Sequence, residues 1–217
     1  MQKKEFDFKE RYSSLVNELR DIDLSNMNNL LKLKKIISPV NNIVTKALEN
    51  SFIDWLYRKG LISENQYEQA IVDLKKRNPN AKGSDVNIEG DKDHKPIIAE
   101  IKANVPVKKK EYGAKQLENI KTDIISLLDE TKFKKESDKA KEYLKFMVLL
   151  KIDDKYQEGF NSENAINAIL KLLDYKGDSI QLVAPDLTDK ECFSPGNVYI
   201  IQLPLLVITE GDQSSQQ

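Results

Sequence analysis

The sequence predicts an α/β (α+β) fold, a central mixed β-sheet flanked by helices, with extra helices on its N-terminal side. Three observations carry this. Apolar residues recur at helical spacing early in the chain, as in Ile43, Ala47, Leu48, Phe52, Trp55 and Leu56. Short apolar runs of strand length come later, bounded by Gly, Pro, Asn and Asp. Helical and strand patterns then alternate, an order that indicates a mixed sheet covered by helices.

Taken in order, residues 5–24 place Phe8, Tyr12, Leu15, Leu19 and Ile22 near helical spacing, and residues 26–37 also read as helix. Ser38-Pro39 has the form of a helix start, a capping hydroxyl followed by proline in the first turn. The helix it opens ends at Gly60. Ser63 begins another helix, through Lys76, with Gln66 placed for a capping box, and Asn78-Pro79-Asn80 stops it. The runs Asp85–Glu89 and Ile97–Ala103 read as a β-hairpin across the polar turn Gly90–Pro96. A lysine-rich loop at 105–111 leads to a helix over 113–130, and a charged connector spans 132–141. Then come a strand over 143–152, a helix over 162–175 bounded by Gly177, and strands over 180–184 and 198–203. We read one domain over 1–217: a helical extension at 1–37, a core at 38–203 and a frayed polar tail at 211–217.

Composition sets bounds on function. Lys+Arg number 34 and Asp+Glu 35, for a net charge of -1. That balance disfavours an overall basic nucleic-acid binder and leaves room for a local basic stripe. Cys192 is the single cysteine, which excludes an intrachain disulfide and a cysteine-rich zinc site and suits a reducing cytoplasm. No apolar run approaches membrane-spanning length. The scattered glycines form neither a phosphate-binding loop nor a dinucleotide fingerprint. His94, the only histidine, lacks a second histidine for zinc and is expected to face solvent; Cys192 is expected to be structural.

The chemistry-bearing residues lie on the hairpin. Strand alternation puts Glu100 and Lys102 on one face, and an adjacent strand brings Asp85 alongside. Two carboxylates and a lysine form a hard-cation site beside a positive charge, which is what phosphodiester hydrolysis needs. The alternative is a strand cap plus a solvated cross-strand pair. Against it, Glu100 and Lys102 interrupt an apolar strand that is expected to be buried on at least one face, where charges are paired or bind metal.

Gly83-Ser84-Asp85 followed by Glu100-Ile101-Lys102 resembles the PD-(D/E)XK nuclease superfamily, over roughly residues 46–152. The resemblance implies a restriction-endonuclease-like core, Mg²⁺ held by Asp85 and Glu100, and Lys102 orienting or activating the attacking water. Two features depart from the pattern: Ser84 stands where the family has proline, and no clear strand precedes Asp85. Glu49 resembles the glutamate that many restriction enzymes of this superfamily aim into the site from the preceding helix; it also reads as a charge at the edge of an amphipathic helix. Gln116, at the start of the 113–130 helix, has two readings, a phosphate contact or an ordinary polar helix start. The RecB-type signature is absent, since Ile120 stands where its tyrosine belongs. Lys82, Lys108, Lys109, Lys110 and Lys115 form the best basic patch for DNA phosphates. The implied activity is Mg²⁺-dependent cleavage of double-stranded DNA by a type II restriction enzyme, working as a homodimer because a palindrome suits twofold symmetry. The rival readings are a structure-selective or repair nuclease of the same superfamily, and a non-catalytic DNA-binding protein that keeps the fold.

Overall fold

The computed structural model describes residues 13, 14, 17, 27–77, 84–104, 112–129, 140–152, 162–173, 179–187 and 192–205. The lysine-rich segment 105–111, most of the 5–24 helix and the 211–217 tail lie outside these residues, although Ser13, Ser14 and Asn17 are helical.

Helix α1 runs unbroken from Met27 to Arg58. The expected boundary at Ser38-Pro39 is therefore corrected: the two helical segments are one. Proline inside a helix removes one main-chain hydrogen bond and crowds the preceding turn, at a cost of about 3 kcal/mol. Buried side chains in the second half, among them Leu48, Phe52, Ile53, Trp55 and Leu56, anchor the helix against that cost. The C-terminal end matches its sequence reading. Gly60 takes φ 64, its N–H donates to the Tyr57 carbonyl at 2.9 Å and the Leu61 N–H reaches back to Leu56 at 3.0 Å. This left-handed cap is where glycine costs no strain. Helix α2 (Glu64–Lys76) opens on the expected capping box, with the Ser63 N–H donating to Gln66 Oε1 at 2.8 Å. The two helices pack together, with Tyr57 and Tyr67 stacked at 4.8 Å.

The strands are β1 (Val86–Ile88), β2 (Ile97–Lys102), β3 (Leu144–Leu150), β4 (Ile180–Val183) and β5 (Val198–Leu203), with helices α3 (Ala114–Leu128) and α4 (Ser162–Leu172) between β2 and β4. Their order in the sheet is β1-β2-β3-β5-β4. Only the β1–β2 pair is antiparallel; β2, β3, β5 and β4 are mutually parallel. The mixed sheet flanked by helices is thus present. Right-handed crossovers explain which layer each connection joins. Stepping from β2 to β3 and from β3 to β4 runs one way across the sheet, and α3 and α4 share one face. Stepping from β4 back to β5 runs the other way, so the described residues of that connection, 184–187 and 192–197, belong on the α1 face. There Leu187 and Phe193 join the core, and Trp55 Nε1 donates to the Pro185 carbonyl at 2.8 Å.

The core is two layers divided by the sheet. On the α1 face, Phe52, Trp55, Phe146, Phe193 and Tyr199 form an aromatic cluster, with Phe146 ring centroids 5.3 Å from Phe52 and 5.6 Å from Phe193. On the other face Ile120, Ile124 and Leu127 of α3 and Ile166 and Ile169 of α4 cover Ile98, Met147, Leu149, Val198 and Ile200. Every residue of β3 is buried, as expected of a central strand covered on both sides. Cys192 is exposed, which corrects its expected structural role.

The hairpin turn is built by Asp91. Its Oδ1 accepts from the Asp93 N–H at 2.9 Å and the His94 N–H at 2.8 Å, and lies 2.9 Å from His94 Nδ1. Those hydrogen bonds, the one with the His94 ring foremost, hold the Asp91 carboxyl down at about 2. His94 is a half-buried member of this turn, rather than the solvent-facing side chain expected. Gly90 is required by close approach: a Cβ there would stand 2.8 Å from Pro96 Cδ.

Candidate active site

The one antiparallel pair brings the start of β1 to the end of β2. The ladder's last partners are Val86 and Ala99, so Asp85 comes next to Glu100. The Asp85 N–H still donates to the Ala99 carbonyl at 3.1 Å. Its carboxylate then takes over from the main chain, Oδ2 accepting the Ile101 N–H at 2.8 Å. An aspartate side chain here closes the ladder where the strands part and fixes its other oxygen, Oδ1, toward α1 and α2. This is also the carboxyl end of β2, β3, β5 and β4, where open α/β sheets bind ligands.

Alternation along β2 sends Ile97, Ala99 and Ile101 into the α1-side core and Ile98 into the α3-side core. Glu100 and Lys102 therefore share the α3 face, as the sequence implies. Glu100 is 4% exposed. Lys102 is partly exposed, and its Nζ lies 2.6 Å from Asp123 Oδ2 on α3. The Ile120, Ile124 and Leu127 stripe turns one side of α3 to the sheet and leaves Asp123 at its border. A carboxylate beside Ile124 on a predicted sheet-packing helix was the signal for this partner.

Glu49 resolves in favour of burial: it is 3% exposed and points inward from α1. Its Oε1 lies 3.0 Å from Arg77 Nη2, while Oε2 is buried with no hydrogen-bond partner. Burial raises the Glu49 carboxyl to about 7; Arg77 and Lys46 pull it down and the Asp85 charge pushes it further up. Arg77, just past the end of α2, is a second residue, with Asp123, that sequence reasoning missed. The same Nη2 lies 3.5 Å from Asp85 Oδ1, and Nη1 donates to the Ser84 carbonyl at 3.4 Å. One turn before Glu49, Lys46 is also buried and donates to the Leu74 carbonyl at 2.6 Å, tying α1 to α2. Burial lowers the Lys46 pKa, against the pull of Glu49.

Two cavities open here. One of about 280 Å³ runs between α2 and β1, and one of about 150 Å³ is lined by Asn42, Thr45 and Lys46. Glu49, Arg77 and Asp85 border both. The structure thus joins Glu49 and Asp85 through a shared arginine, and sets Asp85 against the main chain of Glu100-Ile101-Lys102. It turns the Glu100 and Lys102 side chains to the α3 face, away from the two cavities that Asp85 borders, so the expected convergence of the three side chains is corrected: Asp85 meets Glu49 and Arg77 instead. No group of three or more His, Cys, Asp or Glu side chains placed to hold a metal occurs among the described residues. The available donors are carboxylate oxygens: Glu49 and Asp85 border both cavities, and Glu49 Oε2 is buried with no hydrogen-bond partner; that chemistry suits a hard cation such as Mg²⁺.

Of the proposed DNA contacts, Lys115 is exposed on the first turn of α3. Gln116 Oε1 accepts the Gly113 N–H at 2.9 Å, which is the helix-start role. Lys82, Lys108, Lys109 and Lys110 lie outside the described residues. Among the described residues no helix is long and apolar enough to cross a membrane. Compared with family models, with curated proteins and with solved structures, the chain matches none.

Proposed function

We propose that this chain is a Mg²⁺-dependent endonuclease of double-stranded DNA, of the type II restriction kind, built on a PD-(D/E)XK-like core. The observation that carries the reading is the pairing of Asp85 with the Glu100-Ile101-Lys102 segment across the single antiparallel pair, at the carboxyl end of the parallel strands. The buried Glu49 of α1, with one oxygen left without a hydrogen bond, adds a further hard ligand. In this reading Asp85 and Glu100 would hold Mg²⁺, the Glu100 carboxylate turning from the α3 face at the strand end to reach it, and Glu49, which borders the same cavities as Asp85, supplements them. The metal, when bound, polarises the phosphoryl oxygen and lowers the pKa of water. Lys102 orients the attacking water, and Asp123 sets the direction of its ammonium group. Lys82, Lys108, Lys109, Lys110 and Lys115 grip backbone phosphates. Two copies acting as a homodimer cut both strands of a palindrome.

A second reading has an observation behind it. Arg77 and Asp123 neutralise Asp85, Glu49 and Lys102 inside the protein, as they would in a DNA-binding protein that has the fold and no catalysis. Incubation with supercoiled plasmid, with Mg²⁺ or with EDTA, separates the two. Discrete, reproducible fragments with Mg²⁺ alone are the expected result. Intact plasmid in every condition would favour the binding protein. A smear, or selective cutting of branched duplexes, would favour a repair or structure-selective nuclease.

A further inference from the structure

Arg77 stands between two carboxylates that the proposed chemistry gives to a divalent cation. One guanidinium nitrogen, Nη2, is 3.0 Å from Glu49 Oε1 and 3.5 Å from Asp85 Oδ1. Glu49 is 3% exposed and borders both cavities, and its Oε2 is buried with no hydrogen-bond partner. Two acids this close, one of them out of water, need positive charge between them. In the resting fold that charge is the guanidinium, whose planar donors suit two acceptors at once.

A dication bound by the same two acids would bring like charge against Arg77, and the attraction that holds the guanidinium there would be gone. Arg77 has somewhere to go. Its side chain is 30% exposed, and it lines cavities of about 280 and 150 Å³ that the two acids also border. Resting on the reading of Glu49 and Asp85 as cation ligands, we infer that Arg77 is a stand-in cation: it holds the acid pair until Mg²⁺ arrives, and Mg²⁺ must displace it. Arg77 therefore weakens metal binding and sets the concentration at which the site fills. It is a positioning residue of the metal site, and its effect appears without DNA and without turnover.

The test is calorimetric titration of MgCl₂ into the full chain, alone, for the wild type and for Arg77→Ala, Arg77→Lys, Glu49→Gln and Asp85→Asn. Removing one charge-assisted competitor should tighten Mg²⁺ binding roughly tenfold in Arg77→Ala. Arg77→Lys, which keeps the charge and loses the fork, should fall between that and the wild type. Glu49→Gln and Asp85→Asn should lose affinity. Thermal melting gives a second readout: Mg²⁺ should raise the melting temperature of Arg77→Ala more than that of the wild type. If the acid variants lose Mg²⁺ and Arg77→Ala binds it no better than the wild type, the inference is overturned while the ligand reading stands. If the acid variants bind Mg²⁺ as the wild type does, both fall. Should Arg77→Ala fail to fold, Arg77→Lys decides: tighter binding than the wild type supports the stand-in role, and unchanged or weaker binding overturns it.

Discussion

Glu49 should make the protein less stable as pH rises through the neutral range, and replacing it with glutamine should remove that loss. The carboxyl is raised from its ordinary 4.5 to about 7, chiefly by burial, with the attraction of Arg77 and Lys46 already included. Between these values the folded state keeps a proton that the unfolded state has lost. Stability from this group is therefore complete below pH 4.5 and is lost as pH climbs through about 7. A shift of this size corresponds to about 3 kcal/mol above pH 8. Glutamine has nearly the same volume and no proton to lose. Glu49→Gln should match the wild type near pH 4 and exceed it by about 3 kcal/mol at pH 8. Urea unfolding at intervals across that range, followed by Trp55 fluorescence, measures the gap. A gap that stays constant with pH, or a wild type more stable at pH 8, would refute the reasoning. A buried acid that lowers stability is what a functional site, rather than a core selected for packing, is expected to contain.

Two further outcomes follow from the packing and the charge pattern. Phe146→Ala empties the centre of the α1-side aromatic cluster, where the ring is fully buried against Phe52, Trp55, Phe193 and Tyr199, and should cost about 3–5 kcal/mol in urea unfolding. Replacing Lys108, Lys109 and Lys110 together by alanine should weaken binding to specific and random duplexes alike, and flatten the dependence of log K on log salt by up to about 0.9 for each phosphate left without its lysine.

Much of the fold was legible because local chemistry and tertiary structure agree. Ser63 and Gln66 cap α2 as read, Gly60 ends α1 in the left-handed conformation, and β5 keeps its expected bounds, 198–203. Ser38-Pro39 was misread because a local helix-start signal was outweighed by packing two turns and more away, along Leu48, Phe52 and Leu56. The insertion of β5 between β3 and β4 was not legible, since strand order depends on crossover handedness and on which face each connection covers.

The site was legible in part for the same reason. Alternation sets Glu100 and Lys102 on one face, and the hairpin brings Asp85 next to Glu100 in register, both from local pattern; the turn of the Asp85 carboxylate toward Glu49 and Arg77, away from those two side chains, was not legible. The pairings made by Arg77 and Asp123 were not legible either, because their partners lie on other elements; the place of Asp123 beside Ile124 on a sheet-packing helix was its one signal. Arg77 carried one faint signal: it is one of only four arginines among 34 basic residues, at the end of a helix directly before the aspartate strand.

The central claim, that Asp85, Glu100 and Lys102 cut DNA with Mg²⁺, rests most directly on Glu100, the buried acid of β2. We would measure plasmid cleavage by the wild type and by Glu100→Ala with Mg²⁺, at protein concentrations that gel shifts show to give equal DNA occupancy. We expect the wild type to cut, and the variant to bind as well while cutting roughly a thousandfold more slowly. Cleavage by Glu100→Ala at the wild-type rate would contradict the assignment.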